Sequence, residues 1–128
     1  MATSFERILL TTVPEPVSHY CHGVRAGDRL WISGMVGIGR DGSVPSGTVA
    51  QFELALSYID AVLKAAGGGP ENVVKVQVFL TDVSERAAIN PIHIRYFGQH
   101  RPASTLVEVS ALVDPRLTVE IEAEAVLG

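Results

Sequence analysis

The chain has 128 residues, of which 47% are hydrophobic and 19% charged, a globular balance that excludes fibrous, disordered and membrane-spanning classes. A formal charge of -4 and a pI near 5.5 leave no basic field for a phosphate backbone, which argues against nucleic acid as a partner. No run of 18 apolar residues exists and Ile8–Val13 is too short for a signal peptide, so no membrane partner is expected and the expected location is cytoplasmic.

One domain spanning 1–128 is expected, since a chain of this length buries roughly two thirds of its unfolded surface. Cys21 is the lone cysteine, which rules out an intrachain disulfide and fits a reducing compartment. Phe5 to Leu10 reads as a short strand ended by Pro14 and Pro16, whose fixed φ and missing donors suit a loop. Tyr20 to Val24 and Leu30 to Ser33 flank Arg25-Ala26-Gly27-Asp28, a hairpin connection. The second strand runs on to Ile38 through Gly34 and Gly37. Glycine inside a strand marks a bulge or a place where another group approaches the backbone. Arg40-Asp41-Gly42-Ser43 turns the chain.

From Thr48 the apolar spacing becomes helical, with Val49, Phe52, Leu56, Ile59, Leu63 and Ala66 on one face. Thr48 is the expected N-cap and Gly67-Gly68-Gly69-Pro70 the stop. Val73 to Leu80 returns to period two, placing Val74, Val76, Val78 and Leu80 on one face. A short turn over Asp82 to Ala88 leads to a second helix, with Asn90 as N-cap and Pro91 as first helical residue. Ile92, Tyr96 and Gln99 or His100 would share its face. Strands over Thr105 to Val109 and Leu117 to Val126 close the chain. In the last, Leu117, Val119, Ile121, Ala123 and Ala125 oppose Thr118, Glu120, Glu122 and Glu124. The order predicts an α+β domain with two helices on one face of a mostly antiparallel sheet.

Residues able to carry chemistry are few. The glycines at 67–69 lack the Gly-Lys-Ser/Thr of a phosphate loop and end a helix. His19 and Cys21 face away from His22 on a strand, so no metal site is expected. Cys21 shows no activating base, and a buried inert thiol is its plainer reading. His93 and His100 fit packing or solvated positions. Glu120 stands out among the three carboxylates of the last strand. If that strand pairs with the preceding one through Val113 to Arg116, Glu120 enters a crevice in which a carboxyl acquires the raised pKa that proton transfer needs.

These stretches resemble the Rid (YjgF) family of enamine and imine deaminases. Tyr20 in SHYCHGV matches the tyrosine of the family's Gly-Pro-Tyr stretch, and LWISGMVG at 30–37 is similar to its strand ending in Ser-Gly-Gln. VVKVQVFLTD matches the central strand; Asn90, Tyr96-Phe97 and Arg101-Pro102-Ala103 match the second helix and its exit; VEVSAL and VEIEAEAV match the closing strands. The resemblance implies a chorismate-mutase-like subunit that forms a homotrimer with clefts between subunits. It implies a small-molecule substrate that loses ammonia after water adds to its imine carbon, with no cofactor and no metal.

It also implies roles: Glu120 and Tyr20 catalytic, with Ser33, Gly34, Met35, Tyr96, Ser104, Thr105 and Leu106 binding substrate. Three positions depart from the pattern. Ser104 stands where the family carries its carboxylate-clamping arginine, Leu106 where it often has cysteine, and Met35 where it has glutamine. Losing a bidentate arginine contact costs about 2 to 5 kcal/mol, which points away from 2-aminoacrylate. Arg101 lies three residues upstream and reads as a surface residue. The expected activity is deamination or hydrolysis of another small enamine, imine or amide-like metabolite. A non-catalytic metabolite-binding trimer is the alternative, and the net acidity ranks an endoribonuclease last.

Overall fold

The computed structural model describes residues 4–128. Its six strands form one sheet in the order β1-β2-β3-β6-β4-β5, built from β1 (Phe5–Ile8), β2 (Gly23–Ala26), β3 (Arg29–Val36), β4 (Val73–Leu80), β5 (Ala103–Glu108) and β6 (Val119–Val126). Helices α1 (Thr48–Ala65) and α2 (Arg86–Phe97) complete it. All pairings are antiparallel except β4 with β5. This is the α+β arrangement that the order of elements predicted.

The core lies between the sheet and α1. Phe52, Ile59, Val62 and Leu63 are wholly buried against Leu30, Val76, Val119 and Ile121, each large side chain contributing about 1.5 to 3 kcal/mol by leaving water. The β2–β3 hairpin turns at Gly27, whose φ of 62° needs glycine. α1 ends where Gly67 and Gly68 donate their N–H groups to Lys64 and Leu63 carbonyls. Gly67 takes φ 82° there, the left-handed cap that closes a helix on its last carbonyls.

Several expectations are corrected. Thr48 lies inside α1 after Gly47 and bonds Thr118 through its hydroxyl instead of capping. Val49 is 36% exposed; Ala55 and Val62 fill the buried stripe in its place. α2 starts at Arg86, so Pro91 falls inside the helix, where its missing N–H forgoes the bond to the Ala87 carbonyl. Gln99 and His100 lie beyond Gly98 and are exposed; Ile89 and Phe97 hold the buried side. A register shift between Val73 and Lys75 turns Val74 outward, 46% exposed, and leaves Val73 buried. β5 does not pair with β6. It is an edge strand running parallel to β4, while β6 lies between β3 and β4, so Glu120 stands opposite Val36 and Phe79.

Candidate functional site

Gly34 within β3 and Gly37 just beyond its end fulfil the two expected uses of glycine, a bulge and a close approach. β3 pairs Ile32 with Ala123 and then Met35 with Ile121, so Ser33 and Gly34 together oppose Glu122 in a bulge. The Ser33 N–H donates to the His22 carbonyl and its hydroxyl to that of Cys21, at 3.0 and 2.7 Å. Ser33 therefore fixes the bulge to the segment entering β2. At Gly34 a Cβ would lie 2.5 Å from a Glu120 carboxylate oxygen; the missing side chain is the space that carboxylate occupies. At Gly37 a Cβ would lie 2.6 Å from the Gln51 Cα, so that glycine admits the backbone of α1.

Above the bulge opens a cavity of about 440 Å³ whose wall includes Tyr20, Ser33, Gly34, Met35, Tyr58 and Glu120, within the range of small-molecule sites. Burial pushes the Glu120 carboxyl above its ordinary value of 4.5, and the neighbouring Glu122 charge adds to the shift. Both causes disfavour ionisation, the direction of shift that favours a proton-transfer role for a carboxyl. Met35 is 5% exposed and stands opposite Ile121, so its side chain belongs largely to the core. Tyr20 is 46% exposed, with its hydroxyl accepting from the Val17 N–H at 3.3 Å.

The loop over 10–20 that walls the cavity is held by His22, which is 3% exposed. The Leu10 N–H donates to its Nδ1 at 3.0 Å and its Nε2 lies 2.8 Å from the Pro14 carbonyl, a pattern that fits the neutral tautomer protonated at Nε2. Both ring nitrogens are occupied by backbone, which is the physical reason His22 is unavailable to a metal. Neither this loop staple nor Tyr58 was recognised in the sequence. Tyr58 lies on the helical face of α1 between Ala55 and Ile59, and its hydroxyl donates to the Ile38 carbonyl at 2.8 Å.

The remaining expected site residues lie elsewhere in the subunit. Tyr96 does not reach the cavity: its hydroxyl donates to Asp60 Oδ1 at 2.7 Å, tying α2 to α1. Burial and that carboxylate hold its phenol far above the usual range. Ser104 is exposed on β5, and Thr105 accepts from Lys75 Nζ at 3.1 Å. Leu106 lines a separate hollow with Val83, Arg86 and Asn90.

A family signature described as Endoribonuclease L-PSP matches residues 10–127. A RutC family protein of Pyrococcus horikoshii is 37% identical over 122 residues, 94% of this chain and 96% of its own. The mouse protein named 2-iminobutanoate/2-iminopropanoate deaminase is 36% identical over 132 residues, covering all of this chain and 96% of that one. Among solved structures, RidA from an Antarctic Psychrobacter superposes with a TM-score of 0.90 at 32% identity, over 95% of this chain and 99% of that one. The YjgF gene product of E. coli gives 0.88 at 31%, over 94% and 98%.

Proposed function

The chain belongs to the Rid (YjgF, L-PSP) family, and we propose that it is a deaminase-type hydrolase of a small enamine, imine or amide-like metabolite other than 2-aminoacrylate. The observation that carries this reading is the half-buried Glu120 carboxyl, raised in pKa and facing a small-molecule cavity beside the Ser33-Gly34 bulge. Relatives named as iminobutanoate and iminopropanoate deaminases support the reaction class.

In the proposed reaction a water oxygen attacks the imine carbon. Glu120 takes a proton from that water and delivers its own to the imine nitrogen, giving a carbinolamine. A second relay moves the hydroxyl proton to nitrogen; the C–N bond breaks, ammonia leaves and the carbonyl forms. Backbone groups of the bulge and the Tyr20 hydroxyl orient the substrate. No step consumes a cofactor.

The family resemblance supports a homotrimer whose neighbouring subunit completes each cleft. Trp31, Phe79 and Val107 lie on the sheet face away from the helices, partly exposed and without covering elements among the described residues. That face is suited to burial against another copy. On the edge strand β5, Ser104, Thr105 and Leu106 would border the neighbour's cleft, Thr105 from the open face and Ser104 and Leu106 from the helix side, offering hydroxyls and an apolar side chain in place of a charge.

The test is ammonia release from a panel of imines and enamines generated in solution, comparing wild type with Glu120→Gln. Removing a positioned acid–base group is expected to slow turnover about 10²- to 10³-fold. Equal rates would remove Glu120 from the mechanism. Saturable binding of panel compounds without ammonia release by wild type would favour the metabolite-binding trimer.

A further inference from the structure

The Glu120 cavity carries three carboxyl groups, from Glu15, Glu120 and Glu122, and among the described residues neither lysine nor arginine lines it. The loop over 10–20 that walls it also walls a neighbouring cavity. This second cavity, of about 680 Å³, shares Val13, Pro14, Glu15, Tyr20 and His22 with the first and extends to Arg40. One strip of backbone, stapled by His22, thus forms a common wall between two lobes.

Most cations of the chain already have a partner. Lys64, Arg95 and Arg116 are in ion pairs. Arg7 and Arg29 lie over aromatic rings, while Arg25 and Lys75 donate hydrogen bonds. Among the described residues this leaves Arg40, Arg86 and Arg101 of the ten. Arg86 faces the separate hollow beside Leu106, and Arg101 precedes β5 at the end of the sheet away from Glu120. Of these three, only Arg40 lines a cavity that shares wall residues with the Glu120 lobe.

Its presentation is built. The Gly39 N–H donates to the Ser43 carbonyl at 2.7 Å and the Gly42 N–H to that of Gly39 at 2.9 Å, closing a tight turn around Arg40. The adjacent Asp41 carboxylate accepts from both the Ser43 N–H and its hydroxyl, at 3.0 and 2.6 Å, and makes no ion pair with the arginine among the described residues. Among the described residues Glu15 is the only carboxylate lining the Arg40 lobe, and it makes no ion pair with Arg40. Both charges of the turn are felt at Tyr58 in the first lobe: burial raises its phenol, Arg40 opposes that shift and Asp41 adds to it.

From this geometry we infer that Arg40 is the anion anchor of a two-lobed site, selecting substrates that carry a carboxylate at the end remote from the reacting carbon. The inference rests on the reading of Glu120 as the reacting end. A guanidinium fits a carboxylate through two parallel N–H donors. Its placement in the far lobe selects for a longer substrate than one gripped next to its reactive carbon.

The experiment is an NMR titration with hexanoate and with hexanamide, which match in shape and differ in charge, on wild type, Arg40→Ala, Arg40→Lys and Glu120→Gln. Wild type is expected to bind hexanoate about 5- to 10-fold more tightly. The preference should vanish in Arg40→Ala, largely persist in Arg40→Lys and be kept or strengthened in Glu120→Gln. A wild type without charge preference, or an Arg40→Ala protein that keeps it, would overturn the inference.

A parallel assay follows ammonia release from the imines of 6-aminohexanoate and hexylamine, generated by an amine oxidase, which differ only in the remote carboxylate. Arg40→Ala should raise KM for the first about 5- to 10-fold and leave the second unchanged. If wild type deaminates neither imine yet shows Arg40-dependent hexanoate preference, the hydrolase reading fails and the anchor stands. If it deaminates both with no Arg40 dependence, the anchor alone fails.

Discussion

Replacing Gly34 by alanine is expected to separate catalysis from folding. The new Cβ would sit 2.5 Å from the Glu120 carboxylate oxygen and 3.0 Å from its carboxyl carbon, so the carboxylate must withdraw by roughly 1 Å to regain ordinary contact. The backbone at Gly34 is not in the left-handed region, and alanine is conformationally acceptable there. Moving the flexible end of Glu120 off its rotamer costs about 0.5 to 1.5 kcal/mol, while alanine returns about 0.4 to 1 kcal/mol by restricting the unfolded chain. Stability should therefore change by less than about 1 kcal/mol. A misplacement of roughly 1 Å at the proton-transferring group lowers turnover about 10²-fold. Urea denaturation measures the first quantity and single-turnover ammonia release the second. Unchanged turnover would refute the argument that Gly34 holds space for the carboxylate. So would a loss of several kcal/mol in stability, since the defect would then be general.

Gly37→Ala should behave oppositely, because its Cβ meets the Gln51 backbone, with atoms at 2.6 and 2.8 Å. Forcing β3 and α1 apart is expected to cost about 1 to 3 kcal/mol in urea denaturation. His22→Phe removes the partners of the Leu10 N–H and the Pro14 carbonyl. It should destabilise the fold by about 2 to 3 kcal/mol and, by loosening the wall shared by the two lobes, raise KM more than it lowers kcat. Glu120 sets a pH dependence whose sign follows from its raised carboxyl. The folded chain holds that proton more tightly than the unfolded chain, so its contribution to stability falls as pH rises from about 4.5 through the folded-state pKa. Glu120→Gln should therefore gain Tm relative to wild type as pH rises through that window; a parallel offset at every pH would show that burial does not perturb the carboxyl.

The elements whose cause is local were legible in the sequence. The buried stripe of α1, the alternation of β6, and the glycine stop at Gly67 each follow from residues within a few positions of one another. The start of α2 was misplaced because Asn90-Pro91 is a sound N-terminal signal, but Asp82 accepts from the Ser84 N–H and opens the turn four residues before Arg86. Strand order was not legible. Nothing in Thr105 to Val109 announces a parallel partner, and a parallel edge strand carries the same alternation as an antiparallel one. The expected cavity residues Glu120, Tyr20, Ser33 and Gly34 do come together. Tyr58 and His22 were missed as wall residues because each looks like ordinary core until its hydrogen-bond partner, 8 to 20 residues away in sequence, is known.

The topology also bears on the proposal that Ser104 stands where the family resemblance implies an arginine. Ser104 pairs with Val76 and Leu106 with Val78, so both project to the side of the sheet that carries the helices. Glu120 pairs with Phe79 on the opposite side, and β4 separates the two strands, about 10 Å from β5 to β6. Within one subunit no side chain at position 104 can share a substrate with Glu120, whatever its charge. A clamp placed there acts only on a site completed by a second copy, whereas the turn carrying Arg40 adjoins the loop that walls the Glu120 lobe of its own chain. Moving the cation from the edge strand to that turn would free anion recognition from the subunit contact and lengthen the distance between the gripped charge and the reacting carbon. The serine and the unpaired arginine are on this argument two sides of one change in substrate length.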